Sequence, residues 1–199
     1  SADLPNQSFY FPFFLGNFEI TDWEVILRTD EITLKINLDT ASYCWYNKNG
    51  NLLLQEIEKD SRNLEKFDLV KIAEAKTEKV WTADGEKEVI KESAYEVTGH
   101  SWHSRLNLKF QDKEELYGLG QHEEGLGSLR ENMIYLHQAN KKIAVPMLVS
   151  SLGYGILMDT YSPMIFSDTQ YGSYLYSEAV FEMEYYFMYG GDMRGVIAQ

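Results

Sequence analysis

The sequence has one cysteine, Cys44, among 199 residues, so it can form neither an intrachain disulfide nor a multi-cysteine metal site. A lone thiol within the strand-like run Ser42-Tyr43-Cys44-Trp45-Tyr46 reads as a small buried hydrophobe without a redox role. No stretch approaches about 18 uninterrupted apolar residues, the length a membrane-spanning helix needs. The start, Ser1-Ala2-Asp3-Leu4-Pro5, lacks the basic and then apolar regions of a signal sequence. A soluble domain is expected, with cytoplasm and bacterial periplasm both open as compartments. Positive charge is also scarce: 18 Lys and Arg stand against 31 Asp and Glu, a formal charge of −13. Such a surface repels phosphate backbones and anionic bilayers, which removes nucleic acid and membrane as expected partners. The acidity itself names no partner, because it also serves solubility. Internal repeats, low-complexity tracts and Pro/Gly/Ser linkers are missing, so residues 1–199 read as one domain.

Apolar residues make up 44% and charged residues 25% of the chain, enough to bury a core. The dominant period is two, that of half-buried strands. In Glu31 to Leu38 it places Ile32, Leu34, Ile36 and Leu38 on one face. Ser42 to Tyr46 and Leu52 to Glu56 flank Asn47-Lys48-Asn49-Gly50, a hairpin signal. A second hairpin, with charged and therefore exposed arms, is predicted from Lys79 to Ile90 about Asp84-Gly85. Between them, Asp60 to Lys79 reads as strand pieces with irregular connections. Further strands are predicted over Arg105 to Phe110, Ile143 to Val149, Tyr154 to Met158 and Met164 to Ser167, and one long strand over Val180 to Tyr189. Only Asp192 to Gln199 looks like the start of a helix, with Asp192 as N-cap. Many strands with turn signals and almost no helix predict an all-β, antiparallel β-sandwich.

Few groups offer chemistry. Glycoside hydrolysis needs two facing carboxyl groups, about 5 Å apart for retention and wider for inversion. The one pair in a notable setting is Glu123-Glu124 within Gly118-Leu119-Gly120-Gln121-His122-Glu123-Glu124-Gly125. His100 and His103 would share a face on a helix, but on a strand they point apart and no third ligand is evident, so no metal is expected. No cofactor is expected either, since Gly118-Leu119-Gly120 lacks the further glycine spacing and strand-to-helix setting of a phosphate loop. Two glycines so close imply a tight backbone path, with Gln121 and His122 projecting from a strand end. Ser128-Leu129-Arg130-Glu131 matches a capping box but reads better as a turn. Trp23, Trp45 and Trp81 lie in strand-like runs and are read as packing residues, whereas Tyr171, Tyr174 and Tyr176 occupy a polar stretch and read as contacts to a ligand or another domain.

Glu115-Leu116-Tyr117-Gly118-Leu119-Gly120-Gln121-His122 resembles a signature of glycoside hydrolase family 31. Four blocks follow in the family's order: Tyr135 to Asn140, Ile143 to Ser151, Gly153 to Ser162 and Tyr185 to Asp192. The blocks cover Leu116 to Gln199, while Phe18 to Leu54 resembles the family in pattern only. The resemblance implies a galactose-mutarotase-like (supersandwich) N-terminal domain preceding a catalytic (β/α)8 barrel after residue 199, with both catalytic aspartates in that barrel and none in this chain. It also implies a loop laid over the barrel mouth, where active sites of such barrels lie. Many members carry an Asn-X-Asp segment there whose aspartate accepts hydrogen bonds from the sugar. Here the stretch is Asn140-Lys141-Lys142, so Lys142 stands where a carboxylate is expected; the plain alternative is a short loop with Lys142 in solvent. Gln121-His122 with Gln138-Ala139-Asn140 is more similar to the α-xylosidase and α-glucosidase branches than to the intestinal type.

The implied role is a non-catalytic domain of a retaining α-glycoside hydrolase, with the barrel of the same polypeptide and an α-linked oligosaccharide as partners. Gln121, His122, Asn140 and Lys142 are its substrate-proximal or interface candidates. Two alternatives stand beside it: an independent carbohydrate-binding module, suggested by the aromatics, and a mutarotase-like enzyme using His122 with Glu123 or Glu124.

Overall fold

In the computed structural model, residues 16–72, 76–92, 95–123 and 125–199 are described; Ser1 to Pro5 and Glu124, read above from sequence, lie outside them. The first half of the chain lays down β1 (Asn17–Ile20), β2 (Glu24–Arg28), β3 (Ile32–Asn37), β4 (Tyr43–Asn47), β5 (Leu52–Glu56), β6 (Arg62–Ile72), β7 (Lys76–Thr82), β8 (Gly85–Glu92) and β9 (Tyr95–Lys109). The second half adds β10 (Leu116–Gln121), β11 (Met133–Leu136), β12 (Ile143–Ser150), β13 (Tyr154–Met158), β14 (Met164–Thr169), β15 (Gly172–Val180), β16 (Tyr185–Tyr189) and the short helix α1 (Met193–Ile197).

Ten strands form one antiparallel sheet in the order β1-β2-β3-β4-β5-β9-β15-β14-β11, with β6 also paired to β9. A four-stranded antiparallel sheet runs β10-β12-β13-β16, and among the described residues β7 pairs only with β8. The two larger sheets pack face to face. Leu54, Leu106, Phe166 and Leu175 of the ten-stranded sheet share one core with Leu116, Leu148, Tyr154 and Ile156 of the other. The ring of Trp45 stacks on Phe187 across the gap, with centroids 4.1 Å apart. The expected all-β antiparallel sandwich is therefore the fold.

A buried charge pins the two layers. Glu56 of β5, 3% exposed, accepts from Tyr185 Oη of β16 at 2.9 Å and from Tyr43 N at 3.1 Å. Its partner Arg62 lies 3.1 Å away and covers the Tyr43 ring at 3.9 Å. Burial raises the Glu56 pKa and Arg62 opposes the rise, while burial and then Glu56 push the Tyr185 phenol well up. A carboxylate out of water is tolerable only with such a complete set of partners.

The first hairpin forms as expected: Asn47 Oδ1 accepts from Asn49 N and Asn51 N, and Gly50 takes a positive φ of 79°. The second forms too, with Thr82 opposite Gly85. Asp192 caps α1 by accepting from Gly195 N at 2.7 Å.

Three expectations change. The stretch from Asp60 to Lys79 holds a continuous 11-residue strand, β6, paired along its length with the 15-residue β9; its charges hid the alternation because most of β6 is exposed on both faces. The single strand expected from Val180 to Tyr189 is two strands in different sheets. β15 ends where Val180 meets Trp102 after a register shift, and β16 starts at Tyr185 against Met158; period two cannot show a chain crossing between layers. Finally, Trp23 and Trp81 are not packing residues, being 72% and 79% exposed. Trp23 precedes the near-edge strand β2, and Trp81 lies on the β7–β8 ribbon, a separate two-stranded sheet among the described residues.

Candidate functional site

The end of the β10–β12 ladder is built by glycines. Gly118 and Gly120 have φ of 99° and 98°, a region open chiefly to glycine. A Cβ on Gly118 would fall 2.3 Å from Met147 O, and one on Gly120 would fall 1.9 Å from Ile143 O. The register shifts between these two glycines, which marks a bulge that re-aims the strand end. Leu119, itself at φ 61°, turns into the core with 1% exposure. The tight path expected from the Gly-Leu-Gly spacing is thus real, and its cause is backbone contact with β12.

Beyond the bulge, Gln121 pairs with Ile143 and is exposed. His122 is half-buried, and its Nε2 is buried with no hydrogen-bond partner among the described residues. Both line an open cavity of about 390 Å³ with Tyr117, Leu126 and Leu129. Asn140 and Lys141 form the tip of a tight turn closed by backbone bonds between Ala139 and Lys142 of 3.1 and 3.4 Å. Asn140 is exposed and Lys142 half-buried. Gln138 Nε2 donates to Ala144 O at 3.1 Å, and Lys141 lies 3.4 Å from Glu123, which ties the turn to the loop after β10. Register therefore gathers Gln121, His122 and the Asn140–Lys142 turn at one end of the four-stranded sheet. His100 and His103 sit elsewhere, on β9, where His103 stacks on Phe67 with ring centroids 4.2 Å apart.

The buried networks at the other end of the same ladder, where Leu116 pairs with Ser150, were not legible in sequence. Glu114, 2% exposed, accepts from Ser150 Oγ at 2.6 Å, from Gln111 N at 2.8 Å and from the Tyr154 hydroxyl; burial and Glu114 raise the Tyr154 pKa well above its ordinary value. Arg130 donates to Asp168 Oδ2 at 2.6 Å and to the carbonyls of Gln111 and Glu114, both at 2.7 Å. Burial works to raise the Asp168 pKa, but hydrogen bonds from Ser173, Glu131 N and Arg130 outweigh it and lower the value. Apart from the Gln111–Glu114 and Asp168–Ser173 contacts, these partners lie 16 to 40 residues apart, so no local motif announces the networks. The run Ser128 to Glu131 is a turn, as expected, with Ser128 Oγ accepting from Arg130 N at 3.3 Å.

This fold is similar to that of part of several solved glycoside hydrolase family 31 enzymes. A Flavobacterium johnsoniae family 31 dextranase complexed with glucose matches 92% of this chain with a TM-score of 0.63 at 17% identity, over 20% of its own length. In sequence, the chain is 36% identical over 100 residues to an α-xylosidase of Saccharolobus solfataricus, 45% of this chain and 14% of that protein. It is 27% identical over 177 residues to an uncharacterised family 31 glucosidase of Pseudescherichia vulneris, 87% of this chain and 31% of that protein. The chain thus spans less than a third of either curated relative. No family model matches it. The resemblance to glycoside hydrolase family 31 holds in sequence and in fold.

Proposed function

We propose that this chain is the N-terminal, non-catalytic domain of a retaining α-glycoside hydrolase of the α-xylosidase or α-glucosidase type, followed after residue 199 by a (β/α)8 barrel that holds both catalytic carboxyl groups. The observation that carries the reading is the 36% identity to an α-xylosidase over a segment that is 14% of that enzyme. Support comes from the bulged end of β10 and the turn after β11: Gln121 pairs with Ile143 beside the Asn140–Lys142 turn, and Gln121 and His122 line an open cavity. In such a hydrolase one barrel carboxylate attacks the anomeric carbon while the other protonates the leaving oxygen and later activates water. The sandwich contributes binding and orientation at the mouth: amide groups of Gln121 and Asn140 both donate and accept, whereas Lys142 only donates. A subsite with Lys142 in place of a carboxylate selects sugar oxygens as acceptors.

The test is hydrolysis of aryl α-xylosides and α-glucosides by the full-length polypeptide, with the product anomer followed by NMR. Turnover with retention supports the reading; inversion, or cleavage of neither substrate, contradicts it. Within that enzyme, His122→Ala and Lys142→Ala are each expected to raise KM about tenfold, the value of one lost hydrogen bond to substrate, with kcat changed less.

A second reading, an independent carbohydrate-binding module, is favoured by the exposure of Trp23 and Trp81, since exposed rings stack on sugars. It requires saturable oligosaccharide binding by the 199-residue chain in calorimetry, lost in Trp23→Ala or Trp81→Ala.

A further inference from the structure

The β7–β8 ribbon is an unfinished sheet. Among the described residues its strands pair only with each other, and two strands alone are at best marginally stable in water. The ribbon also exposes apolar side chains: Val80 is 41%, Val89 48%, Ile90 66% and Trp81 79% exposed. An outer strand edge of this kind is a template for a further strand. The turn fixes which groups that edge offers. Thr82 and Gly85 stand opposite one another across the two-residue turn, and such a closing pair directs its N–H and C=O groups toward each other. Alternation does the same for Val80 against Lys87, and it directs the backbone groups of Thr77, Lys79 and Trp81 outward.

The two outer edges differ in what they accept. A two-fold axis that joins a strand to its own copy sets residues of equal parity opposite one another, with one residue facing itself at the centre. On β8 the registers centred on Lys87 and Glu88 set like charges face to face. About Val89 the sequence repeats Lys87 at Lys91, and about Ile90 it repeats Glu88 at Glu92. Like charges directly opposite destabilise a ladder. On β7 the registers centred on Glu78 and Lys79 fail for the same reason, and those centred on Thr77 or Trp81 leave most of the strand unopposed. The register centred on Val80 has neither fault. It sets Val80 against Val80, Lys79 against Trp81 and Glu78 against Thr82. Lys79 lies 3.7 Å from Glu86 with its side chain 68% exposed, on the same ribbon face as Trp81.

We propose that the outer edge of β7 pairs with the same edge of a second copy of this chain, about a two-fold axis at Val80, to give a four-stranded sheet in the order β8-β7-β7-β8. Lys79 of each copy then lies against the indole of the other copy's Trp81, a cation–π contact made twice. The two Val80 side chains meet on the opposite face. The charges of β8 guard the outer edges of the joined sheet against further copies, so the assembly closes at two.

The experiment is disulfide trapping in the full-length polypeptide carrying Val80→Cys or Val89→Cys, with the unsubstituted polypeptide as blank. The two positions are similarly exposed, so chance collision cross-links them alike. In the proposed pairing the Cα atoms at position 80 lie about 4.5 Å apart across the axis, within reach of a disulfide. Those at position 89 are separated by at least three strand spacings, about 14 Å. Under mild oxidation Val80→Cys is expected to form covalent dimer about tenfold faster than Val89→Cys. Adding Trp81→Ala to Val80→Cys is expected to slow the trapping about fivefold. Equal rates at the two positions, a faster rate at position 89, or no dimer above the blank would each overturn the proposal. An unchanged rate on loss of the indole would overturn it as well.

Discussion

The two sheets of the sandwich share one core but turn opposite kinds of surface outward. On the ten-stranded sheet the outward positions carry Lys35, Gln55, Arg105, Asn107 and Lys109. Polar groups there lie against aromatic faces: Arg105 covers the Tyr174 ring at 3.8 Å and donates to Asn107 Oδ1 at 2.8 Å. Such groups keep a sheet face both wetted and occupied. On the four-stranded sheet the outward rows are Tyr117, Val149 and Met188, then Met147, Leu157 and Tyr186. One sheet is finished by its own side chains; the other is finished only in part, by α1. The contrast separates a surface closed by its own polar groups from one left partly apolar.

The shared core should be the most sensitive point. Phe166, fully buried and tilted against Phe110 at 6.4 Å, is expected to cost about 3–5 kcal/mol when changed to Ala; a much smaller loss in urea denaturation would mean that the layers are not packed as one core. Next comes the glycine bulge. Gly120→Ala places a Cβ against Ile143 O at a positive φ, with an expected cost of about 2–3 kcal/mol, while Gly85→Ala meets no atom within 4 Å and should cost about 1 kcal/mol. Equal effects would show that the bulge is not held by β12.

The smallest effect is expected from pH, and it too differs between buried acids. The folded Asp168 pKa lies below its ordinary 3.8, so its contribution is present above that value and is lost as pH falls through the lower folded pKa. The Glu56 pKa lies above its ordinary 4.5, so its contribution is largest below that value and declines as pH rises towards the folded pKa. Ser173→Ala removes one hydrogen bond to Asp168 and should shift the acid limb of a Tm-against-pH profile to higher pH. An unchanged limb would mean that Asp168 does not govern it.

Sequence alone reached much of the fold because strands with one wet face print their alternation directly, as in Ile32, Leu34 and Ile36 of β3. It failed where both faces are alike. β6 is largely exposed on both sides, and its charges read as irregular chain; the run from Val180 to Tyr189 alternates across a break between layers. Gly118 and Gly120 were legible as a tight path because glycine's backbone freedom is itself a sequence signal. The networks of Glu114 and Asp168 were not, since their partners meet only after folding. The exposure of Trp81 was hidden because a strand's neighbours, rather than its own residues, decide what covers it.

The most direct measurement compares the 199-residue chain and the full-length polypeptide, each purified free of the other, in hydrolysis of an aryl α-xyloside and an aryl α-glucoside. Turnover by the longer polypeptide with none from the chain alone is the expected result. Turnover by the chain alone at a rate comparable to that of the longer polypeptide would contradict its assignment as a non-catalytic domain.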